Sequence, residues 1–133
     1  MAFNLDSYLG VHPDALKLQS KRTEVIANNL ANSDTPGYKA RDIDFRAAMA
    51  SAGSADAPMK MTTTNPGHLS VDLSTDASAN LKYRTPLAPS LDGNTVDAQQ
   101  EQAAFADNTV RYQATLTFLS TRFKSLMTAI TGQ

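Results

Sequence analysis

From Phe105 to the end of the chain, large residues recur at steps of four and three. They are Phe105, Thr109, Tyr112, Leu116, Leu119, Phe123, Leu126 and Ile130, and all but Thr109 are large and apolar. This is a heptad seam held for about four repeats. Asp97 suits the N-cap of such a helix, with Gln100 three residues on as a capping-box partner, and Thr131-Gly132 supplies the stop. The spacing predicts a helix from about Ala98 to Ile130, roughly 50 Å long at 1.5 Å per residue. A helix with that seam does not stand alone in water. Its partner is either the N-terminal helix or another chain, and periodicity does not separate the two. Phe118, one position before Leu119, widens the apolar face. Phe105, Tyr112 and Phe123 read as packing residues rather than a cofactor box.

A second helix is predicted from Pro13 to about Asn32. Pro13 fits a first helical turn, where its missing N–H costs nothing. Leu9, Leu16, Ile26 and Leu30 take seam positions with His12, Gln19 and Thr23 between them, and Leu18 and Val25 broaden the apolar face. The helix is expected to stop near Asn32 to Asp34, because Pro36 disfavours helical geometry before it. Pro36-Gly37 suits the centre of a type II turn.

Residues 40–94 are rich in Ala, Ser, Thr, Asp, Pro and Gly. "ASAGSADAP" reads as a flexible connector. "MKMTTTNPGHLSVDLS" and "LKYRTPL" have room for short strands, kept short by Pro66, Pro86 and Pro89. The expected architecture is mainly α. Long N- and C-terminal helices form a coiled-coil-like pair around a partly disordered central insert with short β segments. In residue terms, 1–12 is a flexible segment, 13–34 the first helix, 35–95 turn and insert, and 96–133 the second helix. Such a chain is expected to gain much of its order on assembly.

Composition narrows the function. The 133 residues carry a net charge of -1 with Lys and Arg scattered, which argues against nucleic-acid binding. With no Cys, disulfides, thiolate metal sites and cysteine nucleophiles are excluded. The N-terminus does not read as a Sec signal peptide, and no apolar run is long enough to span a bilayer. His12 and His68 have no second His or carboxylate at ligand spacing. Asp42 and Asp44 in "ARDIDF" read as a solvated segment charge-paired with Arg41 and Arg46. No nucleophile elbow or phosphate loop occurs. The expectation is a protein with no catalytic residues, cofactor or metal.

Three asparagines, Asn28, Asn29 and Asn32, crowd the end of the first helix in "IANNLANSDTPGYKARDIDF", although asparagine is a poor helix former. This stretch resembles the signature of the flagellar rod and hook axial proteins. That signature is a helix ending A-x-N-L-A-N (Ala27, Asn29, Leu30, Ala31, Asn32) followed by T-P-G-Y (Thr35, Pro36, Gly37, Tyr38). "TTTNPGHLS", "DGNTVD" and "RYQATLTFLSTRFKSLMTAITG" are also similar to that family, while "VDAQQEQAAFA" is more polar and alanine-rich than its pattern. Carboxamides both donate and accept. Asn29 and Asn32 are therefore expected to bind the Thr35–Tyr38 turn and a neighbouring subunit, with Asn28 facing another subunit or solvent. The alternative is that all three are helix-end residues without a partner-specific role.

The resemblance implies a structural subunit of the flagellar basal-body rod, built by helix packing into a shaft that transmits motor torque to hook and filament. It implies synthesis in the cytoplasm and export through the flagellar type III gate without a cleaved signal. Assembly would follow in the periplasm at the proximal rod. Partners would be further copies, the rod proteins FlgC and FlgF, FliE and the MS-ring, with no nucleic acid and no membrane insertion. The implied assembly interface comprises Leu16, Ile26, Asn29, Leu30, Asn32, Thr35, Pro36, Gly37, Tyr38, Phe105, Tyr112, Leu116, Leu119, Phe123, Leu126 and Ile130. Phe3 and Leu5 are candidates for export recognition, or else belong to an ordinary frayed terminus. The competing reading is a cytosolic helical adaptor or export chaperone.

Overall fold

The computed structural model describes residues 5–53, 65, 81–86 and 88–132, apart from the side chains of residues 6 and 51–53. In chain order the elements are α1 (Leu5–Leu9), α2 (His12–Ala31), β1 (Arg41–Ile43), α3 (Phe45–Gly53), β2 (Leu81–Tyr83) and α4 (Ala98–Thr131). The protein is mainly helical, with α2 and α4 as its long elements. Phe3 and all but Asn65 of "MKMTTTNPGHLSVDLS" lie outside the described residues.

Local chemistry sets the helix ends. Asp97 accepts from the backbone N–H groups of Gln99 and Gln100, satisfying two donors that a helix start leaves open. At the other end Gly132 adopts φ 73° and its N–H returns to the Thr128 carbonyl. That left-handed cap favours glycine. In α2, Pro13 sits in the first turn and Asp14 places negative charge there. Gly10, with φ 60°, separates α1 from α2.

The two long helices run antiparallel. Asn29 meets Glu101, Thr23 meets Asn108, and Gln19 meets Thr115, so positions rise along one helix as they fall along the other. Behind α2 lies a small α/β layer. β1 and β2 pair antiparallel in the register Arg41↔Tyr83, Asp42↔Lys82 and Ile43↔Leu81. Leu18, Val25, Ile43 and Ala48 form the core there, joined by Phe45, Met49 and Leu81. Ile26 is fully buried.

Two details of the middle region differ from the sequence expectation. The start of "ASAGSADAP" is helical, because α3 runs to Gly53. Asp44 begins this helix by accepting from Ala47 N–H at 3.0 Å, and Ala48 and neighbouring Phe45 and Met49 pack onto the core. "ARDIDF" is not a solvated segment paired with its own flanking arginines. β1 carries Asp42 inward to Arg22 and Arg84, while Asp44 meets Lys82.

Candidate assembly surface

Asn29 shows why the helix tolerates asparagine. Its carboxamide is a peptide group on a side chain, and it pairs with the backbone of Arg41 as a neighbouring strand does. Oδ1 accepts from Arg41 N–H at 3.1 Å and Nδ2 donates to the Arg41 carbonyl at 2.7 Å. β1 thus has β2 on one edge and Asn29 on the other. Nδ2 also donates to Glu101 Oε2 at 3.3 Å, and Tyr38 O–H donates to Oδ1 at 3.4 Å. An aspartate lacks the donors for this role, and an aliphatic residue lacks both kinds of group.

Asn29 is fully buried, with both donors and both acceptor positions engaged inside the chain. The expectation that it also meets a neighbouring subunit is therefore corrected. Asn32 Nδ2 donates to the Asn28 carbonyl at 2.7 Å, and Oδ1 accepts from Thr35 Oγ1 at 3.2 Å, while Asn28 is exposed.

The Thr35–Tyr38 turn closes with Tyr38 N–H on the Thr35 carbonyl, and Gly37 at φ 73° fits the third position of a type II turn. Sequence reasoning missed what holds it. Asn94 Nδ2 lies 2.6–3.0 Å from the carbonyls of Asn32, Ser33 and Thr35, binding the open end of α2. Gly37 N–H donates to the Asp92 carbonyl, Thr95 N–H to that of Tyr38, and Lys39 Nζ to that of Gly93. The signal was a short polar stretch, "DGNTVD", with a turn glycine beside an asparagine.

A chain of charges ties the layers together. Arg22 makes a two-point bond to Asp42, with both contacts at 2.9 Å. Arg84 reaches Asp42 at 2.7 Å and Glu101 at 2.6 Å. Burial pushes the Asp42 carboxyl up, but hydrogen bonds from Arg22 and Arg84 outweigh it and hold the group below its ordinary value. Its hydrogen bond to Asp42, resisted by burial, raises the Arg22 guanidinium. Glu101 is 1% exposed, so its ion pair is internal.

The C-terminal seam does not face α2 squarely. The residues of α4 that bury against the fold are Glu101, Asn108 and Thr115, seven apart and all polar. The predicted apolar stripe is rotated from them by about 60°, at 3.6 residues per turn. Tyr112, Leu119 and Leu126 are partly covered, whereas Phe105, Leu116, Phe123 and Ile130 are exposed. Beside the stripe, Ala27, Leu30, Ala31, Gln102 and Phe105 line an apolar groove of about 460 Å³. Further along, Leu16, Ser20 and Tyr112 border a second hollow of about 330 Å³. Thr35, Pro36 and Gly37 are exposed, and Leu5 is 45% exposed at the start of α1. Ile26 is spent inside the fold.

Among the described residues no helix is long and apolar enough to cross a membrane, and no group of three or more His, Asp or Glu is placed to hold a metal ion. The geometry offers helix faces and grooves.

An antiparallel helix pair with an exposed apolar stripe, its first helix leading into a T-P-G-Y turn, defines a class of helical packing subunit. Residues 9–39 match the family model described as flagella basal body rod protein. The chain is 42% identical to the flagellar basal body rod protein FlgB of Escherichia coli K12, covering 98% of this chain and 97% of the relative. It is 42% identical to FlgB of Aeromonas hydrophila over 100% and 99%, and 46% identical to FlgB of Cereibacter sphaeroides over 94% of each. The chain belongs to the FlgB family of flagellar basal body rod proteins. The adaptor or chaperone reading finds no support in these relatives.

Proposed function

We infer that the chain is a structural subunit of the flagellar basal-body rod, and that it assembles through the apolar stripe of α4 and the grooves beside it. One observation carries the assembly reading. Leu116, Phe123, Met127 and Ile130 follow one another down one side of α4 with 41–79% of their surface in solvent. Exposed apolar area of that extent marks a surface that meets another protein. Leu16, Leu30, Asn32 and the Thr35–Gly37 turn border the same assembly. In this reading neighbouring helices cover the stripe, and the buried area spreads torque across many subunits of the shaft.

The finer placement rests on the family. The subunit stands in the proximal rod, in the periplasm, beside further copies, FlgC, FlgF, FliE and the MS-ring. It arrives through the type III gate, with Phe3 and Leu5 in its recognition segment. No step of this role calls for catalysis.

The test is a Leu116→Ser, Phe123→Ser double variant with an epitope tag, followed by purification of intact basal bodies. The expected result is a tagged parent that stays with the rod through detergent and salt, and a variant that is absent from it in non-motile cells. A variant incorporated at the parental level would remove the stripe from the interface.

A further inference from the structure

The layer where α2 and α4 touch is polar where an apolar one would be more stable. Gln19 Nε2 donates to Thr115 Oγ1 at 3.2 Å. Asn108 Nδ2 donates to the Gln19 carbonyl and to Thr23 Oγ1, both at 2.9 Å. Gln19 is 6% exposed, Asn108 1% and Thr115 9%. Yet Gln19 Oε1 and Asn108 Oδ1 are buried acceptors without a hydrogen-bond partner among the described residues. An acceptor left unmade inside a fold is destabilising. Leucines at these positions would bury more apolar surface and leave no orphan.

What the layer supplies is discrimination. Apolar residues of α4 repeat every seven positions, so an all-apolar contact would tolerate a slip of one heptad. It would also tolerate a turn of α4 by about 60°, which brings Phe105, Tyr112, Leu116 and Leu119 onto α2. Either change breaks the polar matches, because a one-heptad slip sets Glu101 or Thr115 where Asn108 now stands. Glu101 in that place would lose Arg84 and Asn29. We propose that Gln19, Thr23, Asn108 and Thr115 form a specificity layer that fixes the register and rotation of α4 on α2 and thereby keeps the apolar stripe of α4 turned outward. A buried asparagine sets register at a cost in stability in coiled coils for the same reason.

The absence of native cysteine allows register to be read by disulfide trapping. Ala27 and Phe105 line one groove and lie level with each other between the Thr23–Asn108 and Asn29–Glu101 contacts, so an Ala27→Cys, Phe105→Cys pair reports the observed register. Ala27→Cys with Ala98→Cys, and Ala27→Cys with Tyr112→Cys, report slips of one heptad either way. With the polar layer intact, only the first pair should close within the chain. In a Gln19→Leu, Asn108→Leu background the slipped pairs should rise roughly tenfold, the scale of one lost buried match. The melting temperature of the same background, without cysteines, should rise by about 3–6 °C. Slipped pairs that stay at the starting level would overturn the proposal, because register would then come from the turn and sheet alone. A fall in melting temperature with unique register would also overturn it and leave the layer merely structural. If the double variant does not fold, the near-isosteric Thr115→Val carries the same trapping assay. Slipped closure above the starting level supports the layer, and its absence refutes it.

Discussion

The two halves of α4 share one helical repeat and opposite fates. From Ala98 to Thr115 the helix buries polar side chains against α2 and hands Glu101 to a network of arginine and asparagine. From Leu116 to Thr131 it exposes aromatic and aliphatic side chains and touches the rest of the chain lightly. There Arg122 Nη1 donates to the Tyr8 carbonyl at 2.6 Å, its guanidinium lies 5.8 Å from the Tyr8 ring centroid, and His12 sits 6.1 Å from the Phe118 ring. The usual division between an apolar interior and a polar exterior is inverted along one helix. The first half is specified by directional bonds that suit one partner geometry. The second half is left with area that has no use inside the chain. The contrast predicts that substitutions in the first half act on folding, and those in the second on assembly.

The largest effect on the free chain is expected at Arg84. Removing it leaves Glu101 buried without its counter-charge and takes one partner from Asp42. Arg84→Ala should cost about 3 kcal/mol in urea unfolding, the scale of a broken internal ion pair. Glu101→Leu added to it should recover part of the loss, since the stranded charge goes with it. A cost under about 1 kcal/mol would show that water reaches Glu101 and that the first half is held otherwise.

Next in size is Asn29→Asp, nearly isosteric but stripped of two donors. It abandons the Arg41 carbonyl and sets a carboxylate toward that of Glu101. The expected loss is about 2–3 kcal/mol, from an unsatisfied buried carbonyl and a like-charge contact. Asn28→Asp, at an exposed position one residue earlier, should change stability by less than about 0.5 kcal/mol. Equal effects at the two sites would deny Asn29 its role as the second edge of β1.

Much of the fold was legible because helix signals are local. Pro13, the Asp97 cap and Gly132 mark helix ends within a residue or so of where they occur, and the seam spacing gave α4 its length. The T-P-G-Y turn was equally open to reading, since proline and glycine restrict backbone angles by themselves. What the sequence hid is which face of α4 goes inward. A hydrophobic pattern points to the apolar stripe, but directional bonds placed Glu101, Asn108 and Thr115 inside instead. Their partners on α2 lie 72 to 96 positions away, as in the Asn29–Glu101 and Gln19–Thr115 bonds, and no local rule reaches that far. Asp42 was misassigned to its neighbours Arg41 and Arg46 for the same reason. Alternation along a strand carried its carboxyl to Arg22 and Arg84, on elements far along the chain.

A smaller effect is expected from acid. The Asp42 carboxyl is held below its ordinary value of 3.8, so its contribution is complete above that value in the unfolded chain. It fades as pH falls through the lower value in the folded one. Urea midpoints measured from about pH 7 down to about pH 2.5 should therefore drop mainly below about pH 4. Asp42→Asn should be less stable at neutral pH and show a shallower acid slope. An unchanged slope would mean that other carboxylates account for the acid loss.

The smallest effect on the free chain is expected in the second half of α4, and it sharpens the comparison most. Phe123 and Ile130 already have 41% and 79% of their surface in solvent, so truncating them removes little buried area. Phe123→Ser with Ile130→Ser should shift stability by no more than about 0.5 kcal/mol, as surface changes usually do. The same pair should abolish recovery of the chain with purified basal bodies. Thr109→Ser, a conservative change at the one polar position of the stripe, should leave both readouts intact. A double variant that unfolds the free chain would mean that the second half is part of the core after all, and the division of α4 into a folding half and an assembly half would fall. Unchanged stability with lost incorporation would assign the exposed stripe to the neighbouring subunits of the rod.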